Sequence, residues 1–400
     1  MRILLASIYP WIYVLLFLTI PFDNYVRALP NMLMVILAAT FPFIIKKEHF
    51  TKLSKPPAIL FAVFCLYLVV NAALFDRLAE DWVLIKKIAL AFGFVLLYIP
   101  IEDSGKVFRA IVFSALAVIV FSVINIFVII NTSDDIVLGF SRQVIEALLI
   151  DRIYLGLISI LSILISYRSL TRKFHPNNKY YLANIIVNVL FILLLVSKIA
   201  ILILGLLLLI RQFYGPRKLL RIPIAAIVVA GLFALAFSLM VTEQEASSEK
   251  TFLEKTLTWE LRTQVWKCAQ YIGSDAGLIV EGFGFQGTKD KLVACYEMHI
   301  EDTYKRNLFV SLRYNTHNQF VDIYFNWGII AILLFISWIV WVFLKNRKQF
   351  MPTAFLVVLV SYCMVENVFH RQIGAYYVGF VLIAVLLQNQ LMENNEEKAV

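Results

Sequence analysis

The residues able to do chemistry gather in three short segments. The first, Tyr314-Asn-Thr-His-Asn-Gln-Phe-Val-Asp-Ile-Tyr-Phe-Asn-Trp-Gly328, leads His317 into an apolar stretch. A histidine in the first turn of a helix, capped by Asn315 or Thr316, is expected to stay neutral and to accept a proton, because the helix N-terminus disfavours imidazolium. The other reading is an interfacial polar residue that anchors a span. The second segment, Trp259-Glu-Leu-Arg262-Thr-Gln-Val-Trp266, sets a guanidinium between two indoles on one helix face. Such a face is either solvated or a membrane anchor of aromatic-belt type, or it holds a fork for phosphate. The third is Ser197-Lys198, a charge between two apolar stretches. Burying a lysine at mid-bilayer costs about 2.5–3.5 kcal/mol, so a function is favoured there over a structural role.

The elements around these segments must be membrane helices. Of the 400 residues, 61% are hydrophobic and 16% charged, with a mean hydropathy of +0.81. Soluble chains run near 45–50% apolar and about 25% charged, which excludes a soluble enzyme, a secreted domain and a disordered chain. The expected fold is an all-α polytopic membrane protein with about twelve transmembrane helices of roughly 20 residues each. The spans fall near 4–21, 28–45, 57–75, 84–101, 109–131, 153–168, 181–196, 199–213, 222–241, 320–344, 352–367 and 372–390. The first is read as a retained span, since it lacks a small-residue cleavage site. The net charge of +9 collects in alternate joints, such as Lys46–Lys55 and Arg211–Arg221. That is the positive-inside pattern, and no basic stripe is left for nucleic acid. Both termini then lie in the cytoplasm. The division is a membrane domain over 1–241, a large, partly helical periplasmic loop over 242–319, a second membrane portion over 320–390 and a cytoplasmic tail over 391–400.

Other patterns carry less. Gly282-Phe-Gly-Phe-Gln-Gly287 fits the dinucleotide signature G-x-G-x-x-G, but that motif needs a βαβ unit around it. A tight loop whose glycines let backbone approach another surface fits better. Ser247-x-x-Lys250 lacks the companion motifs of a serine acyltransferase, and no metal-binding signature is present. Helices are expected at about 252–272 and near 290–296. Cys65 and Cys363 lie within spans and pack as small apolar residues. Cys268 and Cys295 both fall in the outer loop, where a disulfide between them is one of two open possibilities.

Taken together, Arg262-x-x-x-Trp266, Gly282-x-Gly284 and His317-Asn318 ahead of a span carrying Gly328 resemble the bacterial O-antigen ligase/polymerase superfamily. Ser197-Lys198 is similar to its Ser-Arg or Ser-Lys element between two short helices. The resemblance implies a glycosyltransferase of the bacterial inner membrane that takes a glycan from undecaprenyl pyrophosphate at the periplasmic face. The acceptor is lipid A–core or a similar glycan, and no cofactor, metal or nucleotide sugar is used. It further implies His317 as base, with Arg262 and Lys198 holding the pyrophosphate. Lysine departs from the arginine more usual at position 198 and supplies a point charge in place of a fork. Trp266, Gly282, Gly284, Asn318 and Tyr324 are the expected substrate-binding residues, with Arg152 and Arg371 as further cations. His370, four residues after Glu366, is the rival for the base. A repeat-unit polymerase of the same superfamily is the alternative to a ligase. A polysaccharide flippase is disfavoured, because the ionisable residues gather at the outer span ends and do not line span interiors.

Overall fold

The computed structural model describes residues 2–22, 25–26, 28–53, 55–102, 104–132, 148, 151–170, 175–195, 197–214 and 261–387. The expected ninth span, the polar segment after it, Trp259 and the C-terminal tail lie outside these residues. The described chain is helical, with no strand among the described residues. Its helices are α1 (Arg2–Thr19), α2 (Ala28–Ile44), α3 (Lys55–Leu74), α4 (Leu78–Tyr98), α5 (Ser104–Thr132), α6 (Arg152–Ser169), α7 (Asn178–Leu194) and α8 (Lys198–Gln212). They continue with α9 (Leu261–Ala276), α10 (Gly284–His299), α11 (Thr303–Leu312), α12 (Gln319–Asn346), α13 (Phe350–Val365) and α14 (Gln372–Leu386).

Among the described residues, five segments are long and apolar enough to cross a membrane: Arg2–Phe22, Lys55–Leu74, Gly105–Val128, Arg152–Ser169 and Gln319–Asn346. α2, α7, α13 and α14 are shorter apolar helices. A helix apolar on every side belongs at the centre of a bundle, and α14 is buried on every side from Ile373 to Leu386. α6 is likewise enclosed from Tyr154 to Ser166. The outer helices instead expose large apolar side chains, among them Phe113, Phe127, Leu190, Leu333 and Trp341. A contiguous apolar exterior of this kind suits hydrocarbon and not water.

The segment ahead of α12 folds on its own small core. Val265, Cys268, Leu292, Cys295, Tyr296, Ile300 and Phe309 pack together from α9, α10 and α11. Cys268 and Cys295 are joined as a disulfide within that core. The expected helix near 290–296 extends through the whole of α10.

Candidate active site

α12 is one helix by length but not by geometry. Gly328 interrupts it with φ 79° and ψ −173°, a left-handed region that costs a glycine little. The break frees backbone groups, and the loop before α10 takes them up. Ile329 donates its N–H to the Ile279 carbonyl (2.8 Å), and Phe283 donates to the Phe325 carbonyl (2.6 Å). A Cβ on Gly328 would stand 1.9 Å from the Val280 oxygen, and one on Gly282 would stand 2.3 Å from the Asn326 oxygen. Both glycines are therefore required by contact as well as by φ. Arg77 closes the joint from the far side, donating to the carbonyls of Gly282 (2.7 Å) and Glu281 (3.0 Å). Asp81 accepts from the Phe285 N–H (2.7 Å) and from the Trp327 indole (3.2 Å). A Cβ on Gly284 would meet the Arg77 side chain at 2.8 Å. Tyr324 binds the same loop, accepting from the Ile279 N–H at 3.1 Å. The glycine cluster is thus a backbone-to-backbone joint, with the loop backbone at Ile279 and Val280 rather than a neighbouring helix lying against Gly328.

This joint fixes the start of α12 and the residues before it. Asn318, not Asn315 or Thr316, is the N-cap, accepting from the N–H groups of Phe320 (3.0 Å) and Val321 (3.2 Å). His317 consequently stands outside the helix, one residue before the cap, and does not occupy its first turn. Its φ is +44°, an uncommon conformation for a side chain of this size. Asn315 holds that turn by accepting from the His317 N–H at 3.1 Å. Asn367 anchors it from beyond α13, its oxygen accepting from the Asn318 N–H (2.7 Å) and its amide donating to the Thr316 hydroxyl (3.0 Å). Both Thr316 and Asn367 are fully buried.

The imidazole of His317 meets Glu366, which follows the last residue of α13. His317 Nδ1 lies 3.3 Å from Glu366 Oε2. An ionised carboxylate only accepts, so Nδ1 carries the hydrogen, and whenever the ring is neutral its lone pair falls on Nε2. That nitrogen is buried and has no hydrogen-bond partner among the described residues. Burial alone would raise the Glu366 carboxyl, but the His317 hydrogen bond and the nearby Arg262 charge hold it below the ordinary carboxylate value.

Arg262, on α9, reaches the same carboxylate. Its Nε donates to the Val365 carbonyl (2.9 Å), and a terminal nitrogen lies 3.9 Å from Glu366 Oε2. Trp266, one turn along, donates from its indole to the Thr316 carbonyl (3.1 Å) and so ties α9 to the histidine segment. Arg262, Glu366, His317 and Trp266 therefore form one contact set. Lys198 stands on a helix, α8, that packs against α13. It opens α8 as an exposed residue. Beside it, a Cβ on Gly156 of α6 would stand 3.0 Å from the Ser197 hydroxyl and 3.1 Å from that of Tyr362. Tyr362 lies in the last turn of α13, one turn before Glu366. Arg152 begins α6 and is partly exposed. Arg371 is met by Asp151 at 3.1 Å, with its guanidinium 6.0 Å from the Tyr154 ring centroid.

His370 shares Asn315 and Asn367 with the His317 segment and adds Asp322, with the Asn367 amide nitrogen 3.2 Å from its Nε2. Its Nε2 lies 3.0 Å from Asp322 Oδ2, and Asn315 presents its amide nitrogen 3.3 Å from Nδ1. The Asn315 oxygen is committed to the His317 N–H, so the amide end must be the one facing His370. Nδ1 then accepts, Nε2 donates, and both ring nitrogens are engaged. The pairing suggested by sequence, Glu366 with His370, is exchanged for Glu366 with His317 and Asp322 with His370. α13 ends at Val365, so the four-residue helical spacing does not carry across to His370. Glu366, Asp322 and Asn367 are the site residues that sequence reasoning left unassigned. The available signal was polar residues at span ends.

Residues 183–336 match the family described as O-antigen ligase. The match runs from α7 into α12 and takes in Lys198, Arg262, Trp266, the glycine joint and His317-Asn318. Arg152, Glu366, His370 and Arg371 lie outside it. The match, together with the apolar helices, supports an integral membrane protein with glycan transfer of ligase or polymerase type. The O-antigen ligase/polymerase superfamily that the motifs resemble is thus supported over the segment that holds them. No curated protein matches the chain.

Proposed function

We propose that this protein transfers a glycan from undecaprenyl pyrophosphate to a sugar hydroxyl at the periplasmic face of the inner membrane, with His317 as the base. The observation that carries this reading is the unengaged, buried Nε2 of His317 behind a carboxylate-bound Nδ1. The acceptor hydroxyl gives its proton to Nε2 as its oxygen bonds to the anomeric carbon. The bond from that carbon to the pyrophosphate oxygen breaks, and the pyrophosphate leaves with the electron pair. Glu366 stabilises the imidazolium so formed, as a buried acid does in a catalytic triad. The departing charge falls to Arg262 and Lys198, with Arg152 or Arg371 in support, so no metal is invoked. In this reading about twelve spans surround the site, residues 242–319 form its periplasmic cap, and Trp266 and Asn318 border the glycan. Gly282, Gly284 and Tyr324 contribute by holding the cap to α12. Lipid A–core is the acceptor of a ligase and a second lipid-linked repeat that of a polymerase.

The test is transfer from lipid-linked donor in membranes. A well-placed base is worth roughly 10²–10⁴ in rate, so His317→Ala should lose about that factor while Arg262→Lys mainly impairs donor use, because the fork is gone. Undiminished transfer by His317→Ala would refute the assignment.

A further inference from the structure

A second group of cations meets His370 through contacts that His317 does not share. Lys87, on α4, donates to the His370 carbonyl oxygen. Lys289, on α10, lies 4.0 Å from the Phe285 ring centroid, and that ring meets the His370 imidazole edge-on at 5.6 Å between centroids. Lys87 lies within electrostatic reach of both Lys86 and Lys289. Lys87 and Lys289 are both partly buried. Among the described residues, none of the three has a carboxylate within ion-pair distance. Asp322, the buried acid nearest Lys289, already binds His370 and the Gln319 amide, while Asp290 is taken by Arg313. Burial and the charge of Arg313 lower the Lys289 ammonium below its ordinary value, against the pull of Asp322 and Asp290.

Like charges gathered at a partly desolvated place cost free energy unless an anion joins them. Two elements distant in sequence, α4 and α10, bring these charges together, so the arrangement belongs to the tertiary fold and not to a local charge run. Going across the outer face, the order of contacts is Arg262, Glu366 with His317, His370 with Asp322, then Lys87 and Lys289. The donor pyrophosphate, on the reading above, uses one end of this row.

We infer that Lys87, Lys289 and Lys86 form a second anion subsite, which takes a phosphate or pyrophosphate group carried by the acceptor. The inference rests on the proposed transfer reaction and adds to it that each of the two substrates is held by its own anionic group. The two cationic ends then bracket the histidines, and the acceptor's sugar reaches His317 from the lysine side.

The experiment is a titration of the full-length protein in nanodiscs with farnesyl pyrophosphate at low ionic strength, with farnesol and inorganic pyrophosphate as separate arms. The wild type should saturate at two equivalents, and farnesol should displace neither. Lys87→Gln/Lys289→Gln should saturate at one, and Arg262→Ala at the other one. Lys289→Gln alone, which leaves α4 untouched, should weaken the second equivalent by about tenfold, the scale of one lost charge-assisted hydrogen bond. If inorganic pyrophosphate displaces both equivalents, recognition is of the phosphate group, as inferred. Displacement by farnesol alone would mark a lipid-tail site and overturn the inference. So would a wild type that binds one equivalent, or a double lysine variant that still binds two. In either of those results, transfer that still depends on His317 leaves the proposed reaction standing.

Discussion

The two histidines of the candidate site have matching surroundings and opposite outcomes. Each faces a buried carboxylate, Glu366 for His317 and Asp322 for His370, and Asn315 touches both. His370 spends its second nitrogen on the Asn315 amide, whereas His317 keeps Nε2 unengaged among the described residues. The backbone differs in the same sense, since His317 sits at positive φ while His370 lies in an ordinary 3-10 turn. A carboxylate–imidazole pair is therefore not in itself a catalytic signature. On the proposed reading, what separates a base from a structural brace is whether the ring has a lone pair left over.

Three changes would sharpen or break that contrast. The largest effect is expected for Glu366→Gln, which takes away the negative charge of the acceptor that fixes the His317 tautomer. Loss of a hydrogen bond to a charged group is worth about 1.5–3 kcal/mol, so turnover should fall roughly 10- to 100-fold with a smaller change in KM. Wild-type kcat in this variant would remove Glu366 from the reaction. Asp322→Asn should act mainly on the fold. It weakens the brace at His370 and Gln319, and a thermal melt should show a loss of about 1–3 kcal/mol. Turnover should drop less than in Glu366→Gln, and the reverse ranking would make His370 the working histidine.

The smallest effect concerns pH. Glu366 is held below its ordinary value in the folded protein, so the stability it contributes is present above that ordinary value. It is lost as the pH falls through the lowered one. The gap in melting temperature between wild type and Glu366→Gln should accordingly narrow on acidification from pH 7 to below about 4. A gap that stays constant would mean that Glu366 is not ionised in the native state.

Much of this molecule is readable from its residues, because apolar blocks of span length have few alternatives. The positions of α1 to α8 and α12 to α14 follow the hydropathy within a few residues. The glycine cluster was legible as a close backbone approach, since three glycines in six residues have little other structural use. Its target was not, because nothing local says that α12 breaks at Gly328 or that Val280 fills the gap. Arg262, Trp266 and His317 were singled out by type and spacing, and their roles came only with the resemblance to the family. Their meeting at Glu366 was not legible, since 49 residues and two helices separate the acid from the histidine and tertiary packing alone joins them. The N-cap shifted by two or three residues because Asn318 competes with Asn315 and Thr316 for the role, and Asn367 decides it by binding the Asn318 N–H.

The break in α12 also sets a height. The helix has 28 residues, about 42 Å if straight at ~1.5 Å per residue, against roughly 30 Å of hydrocarbon. The portion after Gly328 nearly matches that thickness without help. On the proposed placement, the turns that carry Asp322 and Tyr324 are surplus to the crossing and act as a plinth in the headgroup layer. The elevation of His317 above the bilayer would then be set by a backbone joint rather than by lipid, so the centre should keep its distance from the α12 break in membranes of different thickness.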